Sequence, residues 1–127
     1  MEQKKTIAFD TNMILAAAQF KTDVFAQARE IFGKKIVFAV PEKVFEELEN
    51  LGKKNSKMKK TVSLALEIMK KNKIKKIKSQ GENTDASLEK LAAQGIIIAT
   101  NDKILRKKIK AFGSHIYLKQ NRIIAVE

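Results

Sequence analysis

Ile7-Ala8-Phe9-Asp10-Thr11-Asn12 is the stretch from which the fold can be laid out. Ile7 to Phe9 form a compact apolar run of the kind buried on both faces of a parallel sheet. The run stops in Asp10, and the helical pattern Met13 to Phe20 follows with no room for a loop. An acid so placed stands at the carboxyl end of a central strand, the edge where open α/β sheets bind ligands. Asp10 or Asn12 would serve equally well as a cap for the helix that follows.

The same grammar repeats outward. Gly33 precedes Ile36 to Val40, Gly95 precedes Ile96 to Ala99, and Gly113 precedes His115 to Leu118. A glycine closing a helix before a β-run is the αβ half of a βαβ unit. Before each glycine the apolar residues keep helical spacing: Val24, Phe25, Ala28, Ile31 and Phe32, then Leu88, Leu91 and Ala92, then Ile104, Leu105, Ile109 and Phe112. Two further helices are expected, one from Pro41 to about Leu51 and one from about Ser56 to Asn72. The second turns Met58, Val62, Ala65, Leu66 and Met69 inward. Lys73 to Lys78 reads as a poor strand suited to a protected sheet edge, and Ile123 to Val126 could add a final edge strand. The expected fold is a single α/β domain over residues 1–127. It is a three-layer α/β/α arrangement around a mostly parallel twisted sheet of about five strands.

Composition narrows the function. Cysteine is absent, which excludes disulfides, thiolate zinc sites and a catalytic thiol. No stretch approaches the roughly 20 apolar residues a membrane span needs, and no signal-peptide core precedes the first strand, so a cytoplasmic protein is expected. Of the net charge of +12, residues 53 to 78 carry +10, with eleven lysines against Glu67 alone. A single-signed patch of this kind suits a polyanion, nucleic acid or an anionic membrane surface, although a solvated face would read the same way.

Against that background the acids stand out. The chain has four aspartates; Asp10 and Asp102 each follow a strand where a helix begins, and Asp85 falls in the first turn of the helix leading to Gly95. Helices of a parallel α/β fold start at the edge where strands end, so all three belong to one rim. In Phe45-Glu46-Glu47-Leu48-Glu49, Glu47 borders the apolar face while Glu46 and Glu49 point to solvent. Each aspartate has a capping or helix-dipole explanation. Four acids on one rim nevertheless repel and call for a cation, and oxygen ligands without His or Cys favour Mg2+ or Mn2+. A carboxylate-held cation beside a basic patch suits metal-assisted phosphodiester hydrolysis.

The pattern of hydrophobic strand then Asp10-Thr11-Asn12, Val44-x-x-Glu47-Leu48-Glu49, Thr84-Asp85 and Ala99-Thr100-Asn101-Asp102-x-x-Leu105 resembles the PIN domain, over nearly the whole chain. The resemblance implies an α/β/α nuclease whose quartet Asp10, Glu47, Asp85 and Asp102 binds Mg2+ or Mn2+. It also implies that Thr11, Asn12, Thr100 and Asn101 orient carboxylates, metal water or phosphate. The products would carry 5′-phosphate and 3′-hydroxyl ends. The last motif looks most like archaeal PIN proteins related to small-subunit ribosomal RNA processing factors, while toxins of toxin–antitoxin pairs share the four acids. The expected partners are therefore RNA, ribosomal precursor included, no membrane, a second copy of the chain as a homodimer, and an antitoxin if the chain is of toxin type. Lys53, Lys54, Lys57, Lys70, Lys71, Lys75, Lys76, Arg106 and Lys107 are the expected RNA-backbone contacts. A PIN-like RNA-binding protein without hydrolysis is the alternative.

Other residues resolve more simply. His115, the single histidine, is expected at an edge or in the core. Asp10 lacks the second aspartate two residues on that a phospho-aspartate phosphatase needs, and no glycine-rich phosphate loop is present.

Overall fold

The computed structural model describes residues 5–20 and 22–126. In chain order these form β1 (Lys5–Phe9), α1 (Thr11–Gln19), α2 (Val24–Phe32), β2 (Ile36–Pro41), α3 (Lys43–Gly52), α4 (Ser56–Lys71) and β3 (Lys75–Ile77). Then come α5 (Thr84–Ala93), β4 (Ile97–Ala99), α6 (Lys103–Ile109), a short 3-10 turn (Lys110–Phe112), β5 (His115–Lys119) and β6 (Arg122–Val126). The sheet has six strands in the order β3-β2-β1-β4-β5-β6, in keeping with the expected mostly parallel sheet. All neighbours are parallel except β5 and β6, which form an antiparallel hairpin.

β1 lies at the centre, and its alternation builds both faces. Ile7 and Phe9 point into the larger core under α1 to α4, where Phe9, Phe25 and Phe38 pack with ring centroids 5.0–5.8 Å apart. Ala8 faces the smaller core of Leu88, Leu91, Ile98, Leu105 and Ile109 under α5 and α6. The chain leaves β1 toward β2 on one side and returns to β4 on the other, so the strand order reverses at the carboxyl ends of β1 and β4. A crevice opens at such a reversal.

Several expectations need correction. Pro41 ends β2 instead of starting α3: a strand end does not need the N–H that proline lacks, and the next residue, Glu42, donates to Ile77 O at 2.8 Å. Ile31, Leu66, Ile104 and Phe112, assigned to helical stripes, are exposed: the first three lie at the margin of their helix's apolar arc, and Phe112 falls in the 3-10 turn after α6. The β5–β6 turn places Gln120 and Asn121 at φ +50° and +63°, the left-handed pair a two-residue hairpin requires. Gln27 of α2 clamps that hairpin by donating to Asn121 O (3.0 Å) and accepting from Ile123 N (2.7 Å).

Candidate active site

Asp10, Glu47, Asp85 and Asp102 line one cleft of about 650 Å3 at the carboxyl edge of the sheet, together with Thr11, Asn12, Asn50, Leu51, Lys54, Asn83 and Thr84. The expected quartet thus shares a rim, although its members come from four separate stretches. Asp10 is held at the end of β1, where its N–H donates to Ala99 O across the sheet at 3.2 Å. Thr100 continues β4 beside it, fully buried, and donates its hydroxyl to Asp10 Oδ2. The hydroxyl oxygen of Thr100 in turn accepts the Asp102 N–H at 3.1 Å. One threonine therefore sets the spacing between two acids.

Glu47 leans inward from α3, as the helical spacing requires. Thr11 donates to its Oε2 at 2.6 Å and Thr84 donates to its Oε1. Thr84 stands in the Thr84-Asp85 motif, but its role as a partner of Glu47 is not among the sequence expectations. Asp85 follows it in the first turn of α5, and Asn83, not Asp85, caps that helix by accepting from Ala86 N at 2.8 Å. The preceding loop is pinned by Lys43, whose Nζ donates to Gly81 O (3.3 Å) and to Glu82 O. Gly81 sits at φ +97°, and a Cβ there would come within 2.9 Å of Ala86 Cβ, so glycine is required at this bend.

Capping and clustering prove compatible. Asp10 Oδ1 accepts from Met13 N at 2.7 Å, and Asp102 Oδ1 accepts from Ile104 N (2.8 Å) and Leu105 N (3.2 Å), so both acids cap helices while lining the cleft. Burial pushes the Asp10 carboxyl up to about 6; the Thr100 hydroxyl and the Met13 N–H pull it back, and the charges of Asp85 and Asp102 push it further. Partial burial also raises Asp85, with Asp102 and Glu47 adding and Lys108 opposing.

Among the described residues, no three Asp, Glu, His or Cys side chains converge closely enough to enclose an ion by themselves. The four acids nonetheless fit a hard divalent cation of the Mg2+ type, which is held by one or two carboxylates and keeps several waters and phosphate oxygens as its remaining ligands. The donors are all oxygen, they repel one another, and each carboxylate oxygen that accepts one hydrogen bond keeps a second lone pair.

The supporting residues divide. Thr11 and Thr100 orient acids, and Asn12 lines the cleft, but Asn101 turns away and accepts from Leu118 N at 2.7 Å, tying the β4–α6 loop to β5. The expected RNA contacts divide as well. Lys54 lines the cleft, and Lys53 and Lys57 are exposed beside it in sequence. Lys70 and Lys71 sit at the other end of α4, a helix of 16 residues and so about 24 Å long. Lys75 and Lys76 pair with Ala39 and Val40, just below the rim, and the Lys76 ammonium lies 4.7 Å from the Phe45 ring. Lys107 is exposed, whereas Arg106 is half-buried and stacks on Tyr117.

Residues 7–121 match a known sequence family described as the PIN-like domain. Over 120 residues the chain is 30% identical to Ribonuclease VapC9 of Archaeoglobus fulgidus, spanning 93% of this chain and 86% of that protein. Among solved structures, the PIN domain endonuclease Utp24 superposes with a TM-score of 0.76 at 23% identity, covering 94% of this chain and 90% of that one. VapBC2 of Rickettsia felis, bound to a DNA fragment from its promoter, gives a TM-score of 0.66 at 16% identity, covering 90% and 99%. At such identities the two structural matches speak for the fold.

Proposed function

This chain belongs to the PIN-like domain family, and from that premise we propose that it is a ribonuclease hydrolysing RNA phosphodiester bonds with the help of Mg2+ or Mn2+. The observation that carries the reading is the convergence of Asp10, Glu47, Asp85 and Asp102 on one cleft of a chain whose net charge is +12. A bound divalent cation would activate a water molecule and neutralise charge on the phosphate. One or two of Asp10, Glu47, Asp85 and Asp102 would hold it directly, and the others through its waters. Thr100 fixes Asp10 and the Asp102 backbone, while Thr11 and Thr84 fix Glu47, so the carboxylates stay oriented when substrate arrives. Lys54, the one cation lining the cleft among the described residues, offsets the repulsion that four acids would exert on an incoming phosphate. The lysines outside the cleft hold the strand by its backbone and do not read its sequence.

Ribosomal RNA precursors are the substrate we favour from the look of the Ala99-to-Leu105 motif. The 30% identity to Ribonuclease VapC9 favours a second reading, a toxin-type ribonuclease restrained by an antitoxin. A small antitoxin gene directly upstream would select the second.

Asp102→Asn tests the activity. The substitution keeps size and the helix cap but removes one charge from the cleft, so cleavage of a defined RNA should fall by orders of magnitude. Stabilisation by added Mn2+ should shrink with it, while the metal-free protein keeps its melting temperature or gains slightly. A variant that cuts like the wild type would remove Asp102 from the site and return it to capping alone.

A further inference from the structure

A second cavity lies on the other flank of α6. Lys103, Arg106, Lys107 and Lys110 recur at i, i+3, i+4 and i+7, and with His115 and Val126 they line a space of about 270 Å3. Among the described residues, four cations and no acid line it. Among the described residues the one ion pair is Lys53–Glu49, far from α6 in sequence, so no described acid neutralises them.

The site is built and not merely charged. The Arg106 guanidinium lies 3.7 Å from the Tyr117 ring centroid, and its Nε donates to His115 Nε2 at 3.4 Å. Stacking and that hydrogen bond fix the guanidinium plane, leaving its terminal Nη groups as preorganised donors. His115 is 3% exposed, and its Nδ1 has no hydrogen-bond partner among the described residues. Because Nε2 accepts, a neutral ring carries its proton on Nδ1, a buried donor with nothing to donate to. Such an unpaired buried donor costs free energy, which the surrounding packing must offset. Burial, then the charges of Arg106 and Lys110, lower the His115 pKa and keep the ring neutral at neutral pH.

We propose that this cavity is a second phosphate subsite, which holds one phosphate group of the same RNA strand whose scissile linkage lies over the acid cleft. Arg106 and the lysines of α6 grip the phosphate oxygens, and His115 holds the Arg106 guanidinium in place through Nε2. The two sites share α6: Asp102 caps the helix at the cleft, and Lys103, the next residue, lines the cavity. The proposal rests on the RNA-cleaving reading for the identity of the strand, though not for the chemistry of the pocket. The phosphate could be a backbone diester or a terminal monoester.

His115 is the chain's single histidine, so its ring signals in a 15N-histidine-labelled protein are unambiguous reporters. Inorganic phosphate titrated at constant ionic strength should shift them to saturation, and chloride should not. The response should vanish in Arg106→Gln and also in the paired exposed-site variant Lys107→Gln/Lys110→Gln, which leaves the Tyr117 stacking untouched. With RNA, either variant should raise KM about tenfold and leave kcat unchanged. In the Asp102→Asn background, oligoribonucleotides with a 5′-phosphate, a 3′-phosphate or neither separate the sources: preference for one end assigns a monoester, and equal binding assigns the backbone. A shift that never saturates, or that survives in both variants, overturns the subsite. Silent His115 signals beside normal cleavage sink the subsite and leave the nuclease reading standing. A saturable, variant-sensitive phosphate response in a protein that cuts no RNA does the reverse.

Discussion

Asp10 is the residue whose environment says most about the cleft. Its carboxyl titrates near 6 in the folded chain against an ordinary value of 3.8, chiefly because it is buried. Between those values the folded chain holds a proton the unfolded chain has lost. Stability therefore falls as pH rises through about 4 to 6, by up to roughly 3 kcal/mol. Melting temperatures in EDTA should decline across that window, and Asp10→Asn should flatten the decline and stabilise the metal-free protein at pH 7. Added Mn2+ should restore the wild type and leave the variant unmoved. A flat wild-type profile would mean that the charge on Asp10 is already compensated. The common rim of the four acids is legible in the sequence because Asp10, Asp85 and Asp102 stand at strand ends or helix starts and Glu47 borders the apolar face of α3. The role of Thr84 is not, since its partner Glu47 lies 37 residues away and no periodicity links them. Asn101 misleads for the converse reason: its place in the Thr100-Asn101-Asp102 motif is beside an acid, but its side chain serves a backbone N–H on β5.

At the scale of elements, sequence patterning finds the helices and strands but not their margins. Period 3.6 reports an apolar arc, and the residues at the edge of that arc, such as Leu66 on α4 and Ile104 on α6, are decided by whichever neighbour happens to cover them. Pro41 is ambiguous because the same residue suits a strand end and a helix start, and only the pairing with β3 distinguishes them. The lysines of α4 carry a prediction that depends on this geometry. Lys53, Lys54 and Lys57 lie at the cleft end of the helix, and Lys70 and Lys71 about 24 Å along it. Charge reversal of the first group should weaken both short and long RNAs, lowering the log–log salt slope by about 0.7 for each phosphate no longer neutralised. Charge reversal of Lys70 and Lys71 should weaken long RNAs alone. Equal losses for a trinucleotide and a long strand would show that the far lysines act through the general field and not by touching the strand.

Across the whole molecule the charge is divided against itself. The chain carries +12, yet its cleft presents four acids against Lys54. The topology makes this division possible, because the strand-order reversal between β1 and β4 gathers chain ends from both sides of the sheet while α4 and β3 carry lysines outside the cleft. Grip and chemistry should therefore separate. In EDTA the protein should still bind RNA through its outer lysines without cutting it, and binding should be weakened by repulsion from the cleft. Neutralising the acids together, as Asp10→Asn, Glu47→Gln, Asp85→Asn and Asp102→Asn, should tighten metal-free binding by roughly three- to tenfold at low salt, a gain that shrinks as salt screens the field. The same variant should gain nothing from Mn2+ in melting temperature, affinity or cleavage, whereas the wild type should gain in all three. Fluorescence anisotropy on a labelled RNA, repeated with and without Mn2+ at two salt concentrations, measures affinity, while thermal melts and a cleavage assay measure the other two. Unchanged metal-free affinity in the neutralised protein would place the RNA path away from the acid cleft, and the four carboxylates would then need another partner.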